Sequence, residues 1–142
     1  MNTTVVTVDK EHPDRKVIER AGQILKSGGL VAFPTETVYG LGGDGLNPSS
    51  SQKIYQAKGR PSDNPLIIHI ADLESLDKIV KKIPPKAQKM AEAFWPGPLT
   101  MIFEKSSLVP YETTGGLESV AVRMPSHPVA AALIKAGGGY VA

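Results

Sequence analysis

The stretch KGRPSDNPLIIHI, residues 58–70, sets a lysine, an arginine, an aspartate, an asparagine and a histidine around one hydrophobic run. Gly59, Pro61 and Pro65 already supply a turn between a helix and a strand, so the polar groups invite a chemical reading. Lys58 and Arg60 stand two residues apart, and in an extended segment their side chains leave on the same side. Two cations fixed in that way suit a triphosphate or a carboxylate, with the arginine offering a bidentate fork. In the strand that follows, Leu66, Ile68 and Ile70 share one face while Ile67 and His69 share the other. His69 is therefore expected to look away from the core and into a cleft. A structural reading covers the same residues: Lys58 complements the C-terminal end of its helix, Arg60 is a solvated turn residue, and His69 is a hydrogen-bonded, partly buried histidine.

Two further stretches hold groups of interest. In FPTETVYGLGGDG (33–45) a short apolar strand runs into Thr35, Glu36 and Thr37, then into Gly40, Gly42, Gly43 and Gly45. Glycine-rich turns expose N–H groups to anions, but this stretch has neither the Gly-Lys-Ser/Thr of a P-loop nor G-x-G-x-x-G spacing. The hydroxyls at the strand end could orient a small polar ligand; a β-bulge and turn with ordinary polar residues is the alternative. In SVAVRMPSHP (119–128), Val120 and Val122 alternate with Ala121 and Arg123, which puts Arg123 opposite the valines. An edge charge, half of an ion pair and a ligand-binding cation are all open for it. The basic run KIVKKIPPKAQK (78–89) reads as the solvated side of two amphipathic helices.

The elements that must position these groups follow from periodicity and punctuation. TTVVTV (3–8) is β-branched almost throughout and reads as a strand. Pro13 opens a helix with Val17, Ile18, Ala21, Ile24 and Leu25 on one face, stopped by Gly28 and Gly29. LVAF (30–33) is a short buried strand. Asn47 and Pro48 start a second helix, carrying Ile54 and Ala57 and ending at Gly59, and PLIIHI (65–70) is the next strand. Asp72 caps a helix over LESLDKIV. The Pro84–Pro85 pair opens another, holding Ala87, Met90, Ala91 and Phe94, which WPGP (95–98) breaks. LTMIF and SVAVRM are strands, and Ser126 and Pro128 start a last helix ended by the glycines at 137–139. A final strand begins at YVA (140–142). Strands alternating with helices predict one α/β domain with a largely, though not purely, parallel sheet.

The bulk numbers narrow the function classes. A chain of 142 residues fits one domain, and 41% hydrophobic with 21% charged residues is an ordinary globular composition. The absence of cysteine excludes a disulfide framework, a thiol nucleophile and a thiolate zinc site. A net charge of +2 is too small to argue for nucleic acid by itself. The N-terminal residues lack a charged segment followed by an apolar run, and no apolar stretch reaches the length of a membrane span. The expectation is a soluble cytoplasmic protein without a membrane partner.

Taken together, GGLVAFPTETVYGLG, KGRPSDNPLIIHI, FWPGPLT and VAVRMPSHP resemble, in the family's own order and over residues 14–142, the YrdC/Sua5 family of L-threonylcarbamoyladenylate synthases. The resemblance implies a single YrdC-like α/β domain over residues 1–142, a twisted mixed sheet with helices packed on it and a concave basic site. It implies a nucleotidyltransferase reaction in which L-threonine, bicarbonate and ATP give threonylcarbamoyl-AMP and pyrophosphate. The adenylate would pass to tRNA-modification proteins that make N6-threonylcarbamoyladenosine. By the same resemblance Lys58 and Arg60 are catalytic and face the nucleotide phosphates. Thr37, His69 and Arg123 hold L-threonine, with Arg123 on its carboxylate, and Asn64 and Ser119 contact the nucleotide. A Mg²⁺ is expected on the phosphate oxygens and water rather than in a protein cage. No general base is evident, so the threonine amine is expected to react with bicarbonate through positioning.

The family continues past the YVA strand into a Ser-x-Asn motif. The sequence therefore reads as a C-terminally truncated domain, expected to be marginally stable, prone to association and nearly inactive. Two other readings compete. The carbamoyl-adenylate domain of hydrogenase-maturation proteins shares the fold but sits beside zinc-finger segments, and this chain has no cysteine. An RNA-binding module without catalysis would need more charge and interleaved aromatics for sequence reading, although weak RNA binding by shape stays open.

Overall fold

The computed structural model describes residues 3–142, and short-range chemistry sets most of its helix ends. Helix α1 (Arg15–Lys26) opens on Asp14, whose carboxylate accepts the Lys16 N–H at 2.9 Å. Helix α2 (Pro48–Lys58) opens on Asn47, which caps the Ser49 N–H at 2.9 Å, and closes on Gly59 in the left-handed region at φ 62°. Asp72 accepts both the N–H and the O–H of Ser75 at 2.8 Å and so anchors the start of α3 (Glu74–Ile79). Helix α4 (Pro85–Phe94) begins at the proline pair. A one-turn helix, α5 (Tyr111–Thr114), was not predicted by any periodicity. The last helix, α6 (Pro128–Ala136), is capped by His127 rather than Ser126: the His127 Nδ1 accepts the Val129 N–H at 3.1 Å.

Two small sheets result. Strands β1 (Val31–Phe33) and β2 (Gly40–Gly42) form an antiparallel pair. Strands β3 (Ile67–His69), β4 (Thr100–Glu104) and β5 (Ser119–Arg123) form the other sheet, in the order β3-β5-β4. The β3–β5 ladder is parallel and β4–β5 antiparallel. The architecture is thus mixed α/β, with one parallel ladder of three where a largely parallel sheet was expected. The six residues between β1 and β2 are too few for the crossover that a parallel pair requires.

Residues 3–8 form no strand, contrary to their β-branched composition, and Val5 is 89% exposed. Strand propensity reflects packing against neighbours, and no ladder lies beside this segment. At the other end, where a final strand was expected to begin, Tyr140–Ala142 pairs through isolated bridges. Val141 exchanges hydrogen bonds with His69 (N–H to O 3.1 Å, O from N–H 2.7 Å), Ala142 exchanges them with Gly43, and the Tyr140 carbonyl accepts the Gly45 N–H at 2.9 Å. These three residues bridge the two sheets.

Among the described residues the core divides into three clusters. Ile68, Val120, Val122 and Phe103 from the three-stranded sheet, with Ile70 just past β3, pack against Leu76 and Ile79 of α3 and Ala91 of α4. Leu25 of α1, Phe33 and the apolar side of α6 form a second cluster, and Ile54, Tyr55 and Leu66 a third. Tyr140 packs on the first, Val141 lies in the second and Ala142 in the third. Burying each large aliphatic side chain contributes roughly 1.5–3 kcal/mol. On α4 the buried position is Ala91, while Met90 and Phe94 are exposed, so its packed face is narrower than expected. The lysines of residues 78–89 are exposed, in keeping with a solvated helical face.

Candidate functional site

The alternation that buries Ile68, Val120 and Val122 turns Ile67, His69, Ser119, Ala121 and Arg123 to the opposite face of the sheet. Register then aligns residues of three strands. His69, Arg123 and Thr100 form one row, and Ile67, Ala121 and Ile102 the next. Ile102 is 73% exposed on this face. His69 and Arg123, 54 positions apart in sequence, are thus direct cross-strand neighbours.

His69 is partly buried with its ring edge-on to Phe33, the ring centroids 6.0 Å apart. Its Nδ1 lies 3.2 Å from the carbonyls of both Ile67 and Val141. A carbonyl only accepts, so Nδ1 carries the proton and Nε2 presents a lone pair. Burial pushes the His69 pKa below the ordinary histidine value, partly opposed by those two carbonyl hydrogen bonds. The ring is neutral near pH 7.

Arg123 is 8% exposed. Its Nε donates to the Gly97 carbonyl at 3.1 Å, so the WPGP turn aims the side chain. Its Nη2 pairs with the Glu36 carboxylate, and the second Glu36 oxygen accepts from both the N–H and the O–H of Ser126. Burial draws the Arg123 pKa down, yet the guanidinium remains charged. Of the readings left open for this residue, the ion pair is realised. Glu36, Ser126 and the Gly97 carbonyl are the site groups that sequence reasoning missed. The Thr-Glu-Thr cluster drew attention for its hydroxyls, and the carboxylate between them was the stronger signal for a counter-ion to Arg123. Thr37 lies on the same loop, exposed, with its hydroxyl 3.1 Å from that of Thr35.

The connection after α2 departs from its expected geometry. Lys58 is the last residue of the helix and Gly59 is left-handed, so Lys58 and Arg60 are not the i and i+2 positions of an extended segment. Lys58 is exposed in the helix's last turn. The Arg60 guanidinium folds back: Nη2 donates to Asn64 Oδ1 at 2.9 Å and to the Pro65 carbonyl at 2.7 Å. Its Nε is buried with no partner among the described residues. Asn64 therefore orients Arg60. Ser119 starts β5, at the end where this connection enters β3.

The glycine-rich stretch proves to be a packing surface. A Cβ built on Gly42 would lie 2.6 Å from Val141 Cγ1 and 2.7 Å from Phe33. Gly43 and Gly45 give their N–H groups to residues 140–142. The turn it was read as is largely strand β2, and the bound backbone is the chain's own.

Residues 23–142 match the family model Sua5_yciO_yrdC, described as telomere recombination. The chain belongs to this Sua5/YciO/YrdC family. Its relatives include the threonylcarbamoyl-AMP synthase of Pyrococcus abyssi, 50% identical over 93% of this chain and 39% of that protein. The synthase of the same name from Bacillus subtilis is 51% identical over 85% of this chain and 35% of that protein. The crystal structure of P. abyssi Sua5 complexed with L-threonine superposes with a TM-score of 0.93 at 48% identity, covering 97% of this chain and 41% of that one. The chain thus spans about two fifths of the length of these Sua5 relatives.

Proposed function

We propose that this chain carries the amino-acid and phosphate-binding groups of an L-threonylcarbamoyladenylate synthase within one α/β domain. The observation that carries the reading is the cross-strand pair His69–Arg123 on the open sheet face, in a fold shared at 48% identity with a protein complexed with L-threonine. Arg123 would take the threonine carboxylate, the bare Nε2 of His69 would accept from its hydroxyl, and Thr37 would stand on the adjoining loop. Lys58 and the pre-oriented fork of Arg60 would meet the phosphates of ATP, with Asn64 holding Arg60 and Ser119 near the nucleotide.

The reaction sets the threonine carboxylate, bicarbonate and the ATP phosphates side by side, and the cations offset the repulsion of these anionic groups. Once the threonine ammonium has released a proton to solvent, the free amine attacks bicarbonate carbon and water leaves, giving a carbamate. A carbamate oxygen then attacks the α-phosphorus of ATP, and pyrophosphate departs. A Mg²⁺ would enter on the phosphate oxygens and water. The adenylate would serve proteins that modify tRNA, a role that belongs to the cytoplasm. No helix among the described residues is long and apolar enough to cross a membrane.

Pyrophosphate release on incubation with ATP, bicarbonate and L-threonine tests the activity. Binding is tested separately by thermal shift: L-threonine is expected to raise the melting temperature, L-serine less and L-valine hardly at all. An unpaired buried hydroxyl partner costs about 1–3 kcal/mol, enough to reject valine. Equal shifts from all three amino acids would remove the threonine pocket.

A further inference from the structure

A guanidinium at the end of a strand attracts any carboxylate, so Arg123, the last residue of the central strand, does not by itself select an amino acid. The Glu36–Arg123 pair does more. Its two charges are opposite, in contact and largely withdrawn from solvent, the side chains being 21% and 10% exposed. An α-amino acid carries its own opposite charges about 2.5 Å apart, the span from N to C across one tetrahedral carbon. The pair and the zwitterion therefore carry complementary charges side by side.

We propose that Glu36 is the ammonium-recognising residue of this site, and that Glu36 and Arg123 act as a two-charge clamp for the zwitterionic form of the amino acid. The assignment rests on the amino-acid reading given above. A zwitterion exchanges the one internal ion pair for two, and the neutral pair stays neutral. A ligand with a carboxylate alone gains at Arg123 but meets the Glu36 charge at contact distance, where like charges repel strongly. A ligand with an amine alone meets the guanidinium in the same way. The Ser126 N–H and O–H hold the second oxygen of Glu36 and so keep its carboxylate turned to Arg123. The loop that carries Glu36 is braced by Thr35, whose hydroxyl donates to the Val38 carbonyl at 2.7 Å and accepts the Thr37 N–H at 3.2 Å. Glu36 is thus presented from a defined turn, and its backbone lies at the exposed rim of the site.

Isothermal titration of the 142-residue chain against L-threonine, N-acetyl-L-threonine and L-threoninol tests this. The parent is expected to bind L-threonine at least about tenfold more tightly than either analogue, roughly 1.4 kcal/mol. Glu36→Gln should lose about tenfold or more for L-threonine while its affinity for N-acetyl-L-threonine stays or rises; Glu36→Asp should restore part of the loss. Parent binding of N-acetyl-L-threonine as tight as that of L-threonine overturns the clamp, and this comparison needs no variant to fold. Equal weakening of both ligands by Glu36→Gln also overturns it, by reducing Glu36 to a brace. If the parent binds L-threonine and Glu36→Gln binds it equally well, the Glu36 assignment alone falls. If the parent binds none of the three compounds, the amino-acid reading falls and takes the assignment with it.

Discussion

Arg60 is held by uncharged acceptors four and five residues along its own chain, whereas Arg123 is held by a carboxylate 87 residues away. The first arrangement fixes the direction of a guanidinium without cancelling its charge, and Lys58 lies exposed two residues before it. An anion approaching there displaces nothing charged. The second arrangement is neutral as a unit, so an incoming carboxylate must exchange with one already bound. The contrast suits two ligands of different kinds: a polyanion such as a triphosphate at the 58–65 connection, and a small ligand bearing both charges at the strand ends.

The largest expected effect lies in stability. Removing one member of a buried ion pair leaves the other uncompensated, at a cost of 3–5 kcal/mol where burial is complete. With Glu36 partly exposed, Arg123→Ala is predicted to cost about 3 kcal/mol in denaturant unfolding. Arg60→Ala removes two contacts to uncharged oxygens and should cost about 1 kcal/mol. Equal losses would erase the contrast. Next in size is nucleotide affinity. Arg60→Ala is predicted to weaken ATP binding by about tenfold, or roughly 1.4 kcal/mol, and Lys58→Ala by less, because a planar fork can hold two phosphate oxygens at once. Isothermal titration with ATP decides this, and identical affinities for both variants and the parent would take these residues out of the site.

Acid separates the two regions with the smallest effect. Burial lowers the pKa of His69, and burial followed by the Lys10 charge lowers that of His127. Both folded values lie below the unfolded one, so the neutral forms contribute stability that is complete above about pH 6.5 and is lost as the pH falls through that value and below it. His127 must also give up its cap on the Val129 N–H when Nδ1 is protonated. Tyr55, beside Arg60, has its pKa raised by burial and stays neutral throughout this range. Unfolding midpoints between pH 7.5 and 5 should therefore fall, and His69→Gln should flatten the slope. A parent profile that is level across this range would contradict the assignment of a neutral, buried His69.

Much of this was legible in the sequence wherever the cause was local. Asn47, Pro48 and Gly59 bound α2 as their types dictate, and period-two alternation put His69 and Arg123 on the open face. What the sequence left hidden depends on partners far along the chain. The Glu36 carboxylate signals a counter-ion, but nothing adjacent to it says that its partner is Arg123. The role of Gly42 is set by Val141 and Phe33, not by its glycine-rich neighbours. The failed strand at 3–8 has the same root, since propensity cannot supply a missing ladder. The expected geometry between Lys58 and Arg60 fails for the opposite reason: the extended backbone assumed there is broken by Gly59, whose left-handed turn the same local rules predict at a helix end.

The bridging segment carries a consequence for synthesis on the ribosome. His69 waits for a hydrogen-bond partner 72 residues downstream, so at about 5–20 residues per second its edge stays unpaired for roughly 4–14 s. Throughout that interval Gly43, Gly45 and His69 offer backbone groups to any passing strand. Folding of the first half is therefore provisional during translation, and chaperone contacts should concentrate there. Staged nascent chains, probed by limited proteolysis, are expected to become resistant across residues 40–70 only after Val141 has left the exit tunnel. Resistance well before that length would mean that the two sheets settle independently and the bridge merely fills a gap.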